Sequence, residues 1–176
     1  MTRFILVYGS IIGLFVAVLM VGGIIISNAN GSAGSQVFGY LSMLVAMSII
    51  FVAVKRYRDT KLGGVIKFWP AFGLGAGIAL LASLFYVFAW EIYFNSTGGA
   101  WVEVYVEQIR TQYAEQGRSA EEIDAYLAET QSMMELYRNW WFRMPITLTE
   151  ILPVGLLVGL ISAAILRNPG VLPRRV

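Results

Sequence analysis

The fold is decided by residues 4–26, FILVYGSIIGLFVAVLMVGGIII, a stretch in which no side chain is charged. A helix rises about 1.5 Å per residue, so roughly 20 apolar residues cross a hydrocarbon core about 30 Å thick. The main alternative is a cleaved signal peptide, but the apolar core of such a peptide is only about 7–15 residues long. The stretch therefore predicts a membrane-spanning helix that is retained in the protein.

Three further apolar stretches predict additional spans, at residues 38–54, 69–94 and 146–166. Lipid offers the backbone no hydrogen-bond partners, so each span is expected to be a helix, and the sequence lacks the short alternating segments of a membrane barrel. Hydrophobic residues make up 57% of the chain and charged residues only 14%. Residues 1–176 are thus predicted to form a single all-α membrane domain, a bundle of four transmembrane helices.

Lysine and arginine are distributed unevenly around these spans. Positively charged flanks resist translocation, so the side that collects them is expected to be cytoplasmic. The other side receives residues 27–36, which carry no charge, and residues 95–145, with four arginines and eight carboxylates. We therefore expect both termini in the cytoplasm. The remaining nine basic residues share that side: Arg3, Lys55, Arg56, Arg58, Lys61, Lys67, Arg167, Arg174 and Arg175.

Residues 100–141 show apolar positions at helical spacing, interrupted at Gly117. Ser119 and Glu122 then match a capping box, which marks the start of a second helix. These patterns predict an extracytoplasmic, antiparallel helical hairpin between the third and fourth spans, with an acidic outer face.

Small residues recur at every fourth position in three of the spans. Helices associate in lipid where small side chains let the backbones approach each other closely. Tight packing of the first, third and fourth helices is expected, and a face for a homo-oligomer is the alternative. The residues of these stripes are Gly9, Gly13, Gly73, Gly77, Gly155 and Gly159, with Gly75 on a neighbouring stripe.

Two prolines are informative about the fourth span. Pro145 is expected in its first turn, where a missing amide is harmless. Pro153 lies inside the helix, where it frees the carbonyl of Thr149 and should bend the axis.

Carboxylates within a span are costly, and two occur here: Glu91 about 4–5 Å and Glu150 about 6 Å inside the outer boundary. They would share a site if their helices are neighbours. The functional hypotheses are a proton-accepting pair, a divalent-cation site or a lipid-headgroup contact. In the structural alternative, each carboxylate reaches water or pairs with Arg138 or Arg143.

The basic segment after the second span has two interpretations. It is sufficient as a topology determinant, and Lys55, Arg56 and Arg58 are also candidates for contact with an anionic lipid.

Several short runs together resemble one family. They are GYLSM at 39–43, KRYRD at 55–59, GGVI at 63–66, WEIY at 90–93, EILPVG at 150–155 and ISA at 161–163. In combination they resemble the bacterial "domain of unknown function 4199" family. The resemblance implies a bacterial inner-membrane protein with the architecture above, and it adds weight to Glu91, Glu150, Pro153 and the basic segment without supplying an activity.

Cysteine and histidine are both absent, which excludes thiol and imidazole catalysis and metal sites built on those ligands. We expect no catalytic residue, metal or cofactor, no nucleic-acid partner, and the lipid bilayer as the surroundings. The leading hypothesis is an accessory or scaffold subunit that packs against a membrane-protein partner. One alternative is a small transporter or channel that uses Glu91 and Glu150, and another is an enzyme or enzyme partner for lipid-linked substrates.

Overall fold

The computed structural model describes residues 1–29 and 36–174, and within these ranges all regular secondary structure is helical. The all-α prediction is therefore confirmed. Predictions for the linker between the first two spans, including Ser32, fall largely on residues outside the described ranges. The helices are α1 (Thr2–Ala29), α2 (Gln36–Met47), α3 (Ile49–Lys61), α4 (Phe68–Ser96), α5 (Ala100–Glu115), α6 (Ala120–Tyr137) and α7 (Trp140–Leu166).

Four helical segments are long and apolar enough to span a membrane, as predicted: Thr2–Ile26, Gly39–Lys61, Phe68–Ser96 and Trp140–Leu166. The second is longer than the predicted residues 38–54, because α3 continues through the basic residues to Lys61. At its middle, the Phe51 amide donates to the Ser48 carbonyl at 3.0 Å, a tightened turn that separates α2 from α3.

Helix α7 begins at Trp140, six residues before the predicted start of the fourth span. The amides of Phe142 and Arg143 donate to the Asn139 carbonyl at 3.1 and 3.0 Å, so the helix is established before Pro145 is reached. The prediction that Pro145 lies in the first turn is therefore wrong. Arg143 occupies that turn instead.

The described chain divides into two compact units. The first unit comprises residues 1–88 and 148–176, and the second unit comprises residues 89–147. The core of the first unit contains fully buried side chains from α1, α2, α3, α4 and α7, among them Ile12, Met47, Ile50, Leu74, Ile78 and Ile151.

Glycines of α1 lie against α4 in the first unit. A Cβ at Gly13 would be 2.6 Å from the Phe85 Cβ, and one at Gly9 would be 2.8 Å from the Leu81 Cδ2. Gly77 receives the Ile5 side chain in the same way, since a Cβ there would be 2.7 Å from the Ile5 Cδ1. At these positions the glycine of one helix leaves room for a side chain of the other. The backbones of α1 and α4 can therefore approach each other closely.

A second set of small residues on α4 faces α7. A Cβ at Gly75 would be 3.0 Å from the Gly159 Cα, and one at Gly155 would be 2.7 Å from the Ala79 Cβ. One helix thus packs against two partners through two adjacent stripes. Gly73 is less tightly packed, because within the described part of the chain a Cβ there would contact only the Met1 side chain, at 3.5 Å.

In the second unit, α5 and α6 pack together through a small apolar core of Ile109, Ile123 and Leu127. The predicted capping box is confirmed: the Glu122 amide donates to the Ser119 Oγ at 3.2 Å, and the Ser119 amide donates to the Glu122 Oε2 at 3.1 Å. This box sets the start of α6.

Candidate functional site: a buried ion pair and two further polar clusters

Glu91 and Arg143 form a buried ion pair within the second unit. The Arg143 Nε donates to the Glu91 Oε1 at 2.7 Å, and its Nη2 donates to Oε2 at 2.6 Å. Glu91 is 8% exposed and Arg143 is 2% exposed. The planar guanidinium matches both carboxylate oxygens at once, which gives an oriented, charge-assisted pair.

The rest of the guanidinium is also engaged. Arg143 Nη1 donates to the carbonyls of Tyr137 at 3.0 Å and Arg138 at 2.9 Å, and its Cζ lies 3.8 Å from the centre of the Phe94 ring. A cation in the first turn of a helix opposes the helix dipole. The carboxylate, the two carbonyls and the aromatic face offset that cost, and they fix the guanidinium in one orientation.

This geometry leaves the Glu91 carboxylate little capacity for a ligand. Both oxygens accept from Arg143, and the Asn95 Nδ2 lies 3.5 Å from Oε2. The arrangement fits the structural alternative for Glu91, a pair with Arg143. Sequence reasoning could name Arg138 and Arg143 as possible partners, but only the early start of α7 selects Arg143.

Arg138 has a different partner on the surface of the second unit. Its Nη2 donates to the Glu103 Oε1 at 2.9 Å, and both side chains are at least half exposed. The Glu103 backbone amide and the Arg138 guanidinium hold the pKa of the Glu103 carboxyl below its usual value. Screening by water makes such a pair weak, so it provides a natural comparison for the buried one.

Glu150 lies in the first unit, on α7. Its side chain is exposed on the helix surface, and its carboxylate accepts a hydrogen bond from the Tyr86 hydroxyl of α4. Tyr86 is only 6% exposed. Glu91 and Glu150 therefore have different partners, and a shared site for the two stays a prediction. Pro153, one turn further along α7, is exposed.

The basic residues of α3 differ in their surroundings. Arg58 is fully buried: its Nη1 donates to the Leu166 carbonyl at 3.4 Å and the Val171 carbonyl at 3.0 Å, and its Nη2 donates to the Leu172 carbonyl. Leu166 is the last residue of α7, so Arg58 caps that helix and fastens the segment after it. Arg58 is therefore not accessible to a lipid headgroup.

Asp59 forms salt bridges with two of these basic side chains. Lys55 Nζ donates to Asp59 Oδ2 at 2.6 Å, and Arg58 Nε donates to Oδ1 at 2.8 Å. Of the three candidates for lipid contact, Arg56 alone has an exposed side chain outside this cluster.

Among the residues that the structure describes, no three histidine, cysteine or acidic side chains come together as a possible metal site. These features define the class: a helical, multi-pass membrane protein whose buried charges are held in internal pairs. The family model "Protein of unknown function (DUF4199)" matches residues 7–168, and the chain belongs to that family. Comparison with curated proteins and with solved structures finds no match in either set.

Proposed function

We propose that this protein is a non-catalytic accessory subunit of a larger assembly in the bacterial inner membrane. In this proposal both termini are cytoplasmic, and α5 and α6 form an antiparallel hairpin on the outer side. The segregation of the basic residues supports the orientation, since nine of the 13 flank the spans on one side. The hairpin is the part that docks the partner.

The observation that carries the proposal is a second apolar stripe on α6. One face of this helix packs Ile123 and Leu127 against α5. The adjacent face exposes Met133 and Leu136, which are 51% and 43% exposed. Tyr126 borders this face: it is 41% exposed, and its ring also meets Tyr113 of α5 edge-on at 4.9 Å. Met133 and Leu136 lie one turn apart, and Tyr126 lies two turns before Met133, so the three share one side of the helix. An apolar stripe that is exposed outside the spans is typical of a protein-docking surface.

The charge of the same segment indicates what kind of partner fits. Residues 95–145 carry eight carboxylates and four arginines. A second copy of this chain would bring the same acidic charge to the interface, and like charges oppose association. We therefore infer a partner segment that combines apolar side chains with lysine or arginine.

The two alternative functions have less support. A transporter would need an available ionisable group on its path, and the Glu91 carboxylate is occupied by Arg143. An enzyme would need a set of catalytic groups, and the chain contains neither histidine nor cysteine. Glu150 is the residue through which the transport alternative is tested below.

Native copurification in mild detergent tests the proposal. We expect a stoichiometric membrane partner with the wild-type protein, and its loss with Met133→Ser combined with Leu136→Ser. The matched control is Gln108→Ser with Gln112→Ser, which changes two exposed polar residues of α5. Absence of a stoichiometric partner, or equal retention by both double variants, would contradict the proposal.

A further inference from the structure

A cavity of about 520 Å³ lies in the first unit, between the start of α1 and the end of α3. Three cationic side chains contribute to its lining: Arg3 from α1, and Arg56 and Lys61 from α3. None of the described residues that line it is acidic. The cavity therefore concentrates positive charge from two helices that are far apart in the sequence.

Among the described residues of the first unit, no carboxylate pairs with this positive charge. No salt bridge among the described residues involves Arg3, Arg56 or Lys61. The nearest carboxylate in the sequence, Asp59, already pairs with Lys55 and Arg58. All three cavity cations are exposed, so their charge is available to an anion.

Hydroxyl groups and aromatic rings complete the lining. Tyr8, Tyr57 and Thr60 supply hydroxyl groups. The Phe4 ring stacks on Tyr8 at 5.8 Å and meets Tyr57 edge-on at 5.1 Å, which fixes the rings that carry two of these hydroxyls. Arginines together with hydroxyl donors suit the oxygens of a phosphate group.

An apolar track leads away from the cavity along α1. It begins at Val7, which lines the cavity, and continues through Ile11, Leu14 and Val18, which are 53%, 56% and 68% exposed. The steps of four, three and four residues keep these side chains on one face of the helix. A ligand with a phosphate at one end and a hydrocarbon chain at the other would match the cavity and this track together.

We propose that the cavity binds the phosphate headgroup of an anionic membrane lipid, with an acyl chain along the track on α1. Free phosphate shares the headgroup chemistry, and the track favours the lipid. The lipid therefore contacts Arg3, Arg56 and Lys61. Of the three residues named from the sequence, only Arg56 takes part, and Lys55 and Arg58 do not. It does not depend on the accessory-subunit proposal.

Native mass spectrometry of the purified protein in mild detergent tests the site, with phosphatidylglycerol, phosphatidylcholine and inorganic phosphate as probes. We expect phosphatidylglycerol to bind most tightly. Arg56→Gln and Lys61→Gln should each weaken it about fivefold, the effect of one basic residue near an anionic lipid surface. The control Lys67→Gln removes the same charge from an exposed residue outside the cavity lining and should change binding less than about twofold.

The track is tested by Ile11→Ser, which should weaken phosphatidylglycerol binding and leave phosphate binding unchanged. The proposal is overturned if phosphatidylcholine binds equally well, or if Lys67→Gln has the same effect as Arg56→Gln. Displacement of the lipid by an equal concentration of inorganic phosphate would show a soluble phosphate ligand and would also overturn it. Arg56 and Lys61 are exposed, so the variants should melt as the wild type does.

Discussion

Arg143, in the first turn of α7, donates to both carboxylate oxygens of Glu91, near the end of α4, at 2.7 and 2.6 Å. The pair joins two long helices across 52 residues of sequence. Because both charges are buried, each depends on the other to compensate for lost hydration. The contact therefore accounts for a carboxylate inside a predicted span without assigning it a ligand.

Removal of one member of this pair should destabilise the protein strongly. Glu91→Gln leaves a buried guanidinium without its counter-charge, and we expect a loss of about 3–5 kcal/mol in the free energy of unfolding. The control Glu103→Gln removes the exposed partner of Arg138 and should change the free energy of unfolding far less, because water screens that pair. Thermal unfolding in detergent measures both.

A double-mutant cycle makes the test specific to the pair. The double variant Glu91→Gln/Arg143→Gln should lose less stability than the two single variants lose together, because it contains no isolated buried charge. Additive effects would show that the two residues are not coupled.

The close contact of α1 with α4 predicts opposite outcomes for two glycines of the same helix. Gly13→Ala places a Cβ 2.6 Å from the Phe85 Cβ, and such overpacking costs about 1–3 kcal/mol. No atom of the described residues lies within 4 Å of a Cβ built at Gly22, so Gly22→Ala should be neutral or slightly stabilising. Equal melting temperatures for the two variants would contradict this packing.

Glu150 separates the transport alternative from a structural role. Glu150→Gln removes the charge and keeps an oxygen that can accept from the Tyr86 hydroxyl, so the variant should fold and melt as the wild type does. If the charge is functional, the variant fails to complement a deletion strain despite normal expression. A stable, fully complementing Glu150→Gln protein would leave no role for that charge.

Arg58 should hold the chain that follows α7. Its guanidinium donates to the carbonyls of Leu166, Val171 and Leu172. Arg58→Gln should therefore raise amide hydrogen exchange over residues 167–172, whereas Arg56→Gln, which alters an exposed neighbour, should not. Unchanged exchange in Arg58→Gln would show that the carbonyl contacts do not hold this segment.

The helices could be predicted from the sequence because length and charge alone set a membrane span, and Ser119 with Glu122 indicated the start of α6. The side-chain partners of Glu91 and Arg58 could not be predicted from the sequence. The choice of Arg143 over Arg138 depends on α7 beginning at Trp140, ahead of a proline that would ordinarily mark a helix start. The inward direction of Arg58 depends on carbonyls more than 100 residues away, which no local pattern encodes.

The cavity between α1 and α3 could not be predicted from the sequence either. Arg3 and Arg56 are both recognisable as topology signals, but only the packing of two distant helices places them in one cavity with Tyr8 and Tyr57. Tertiary contacts of this kind depend on which faces the helices turn toward each other, and hydropathy does not specify that.

The central claim is a four-span protein with residues 95–145 on the side opposite the basic segments, and single-cysteine labelling tests it most directly. The native chain has no cysteine, so substitutions at Ser32, Thr60, Glu121 and Arg174 each introduce one thiol. In intact spheroplasts, a membrane-impermeant maleimide should label the variants at Ser32 and Glu121 and reach the other two only after lysis. Labelling at Thr60 before lysis, or protection of Glu121, would contradict the four-span topology.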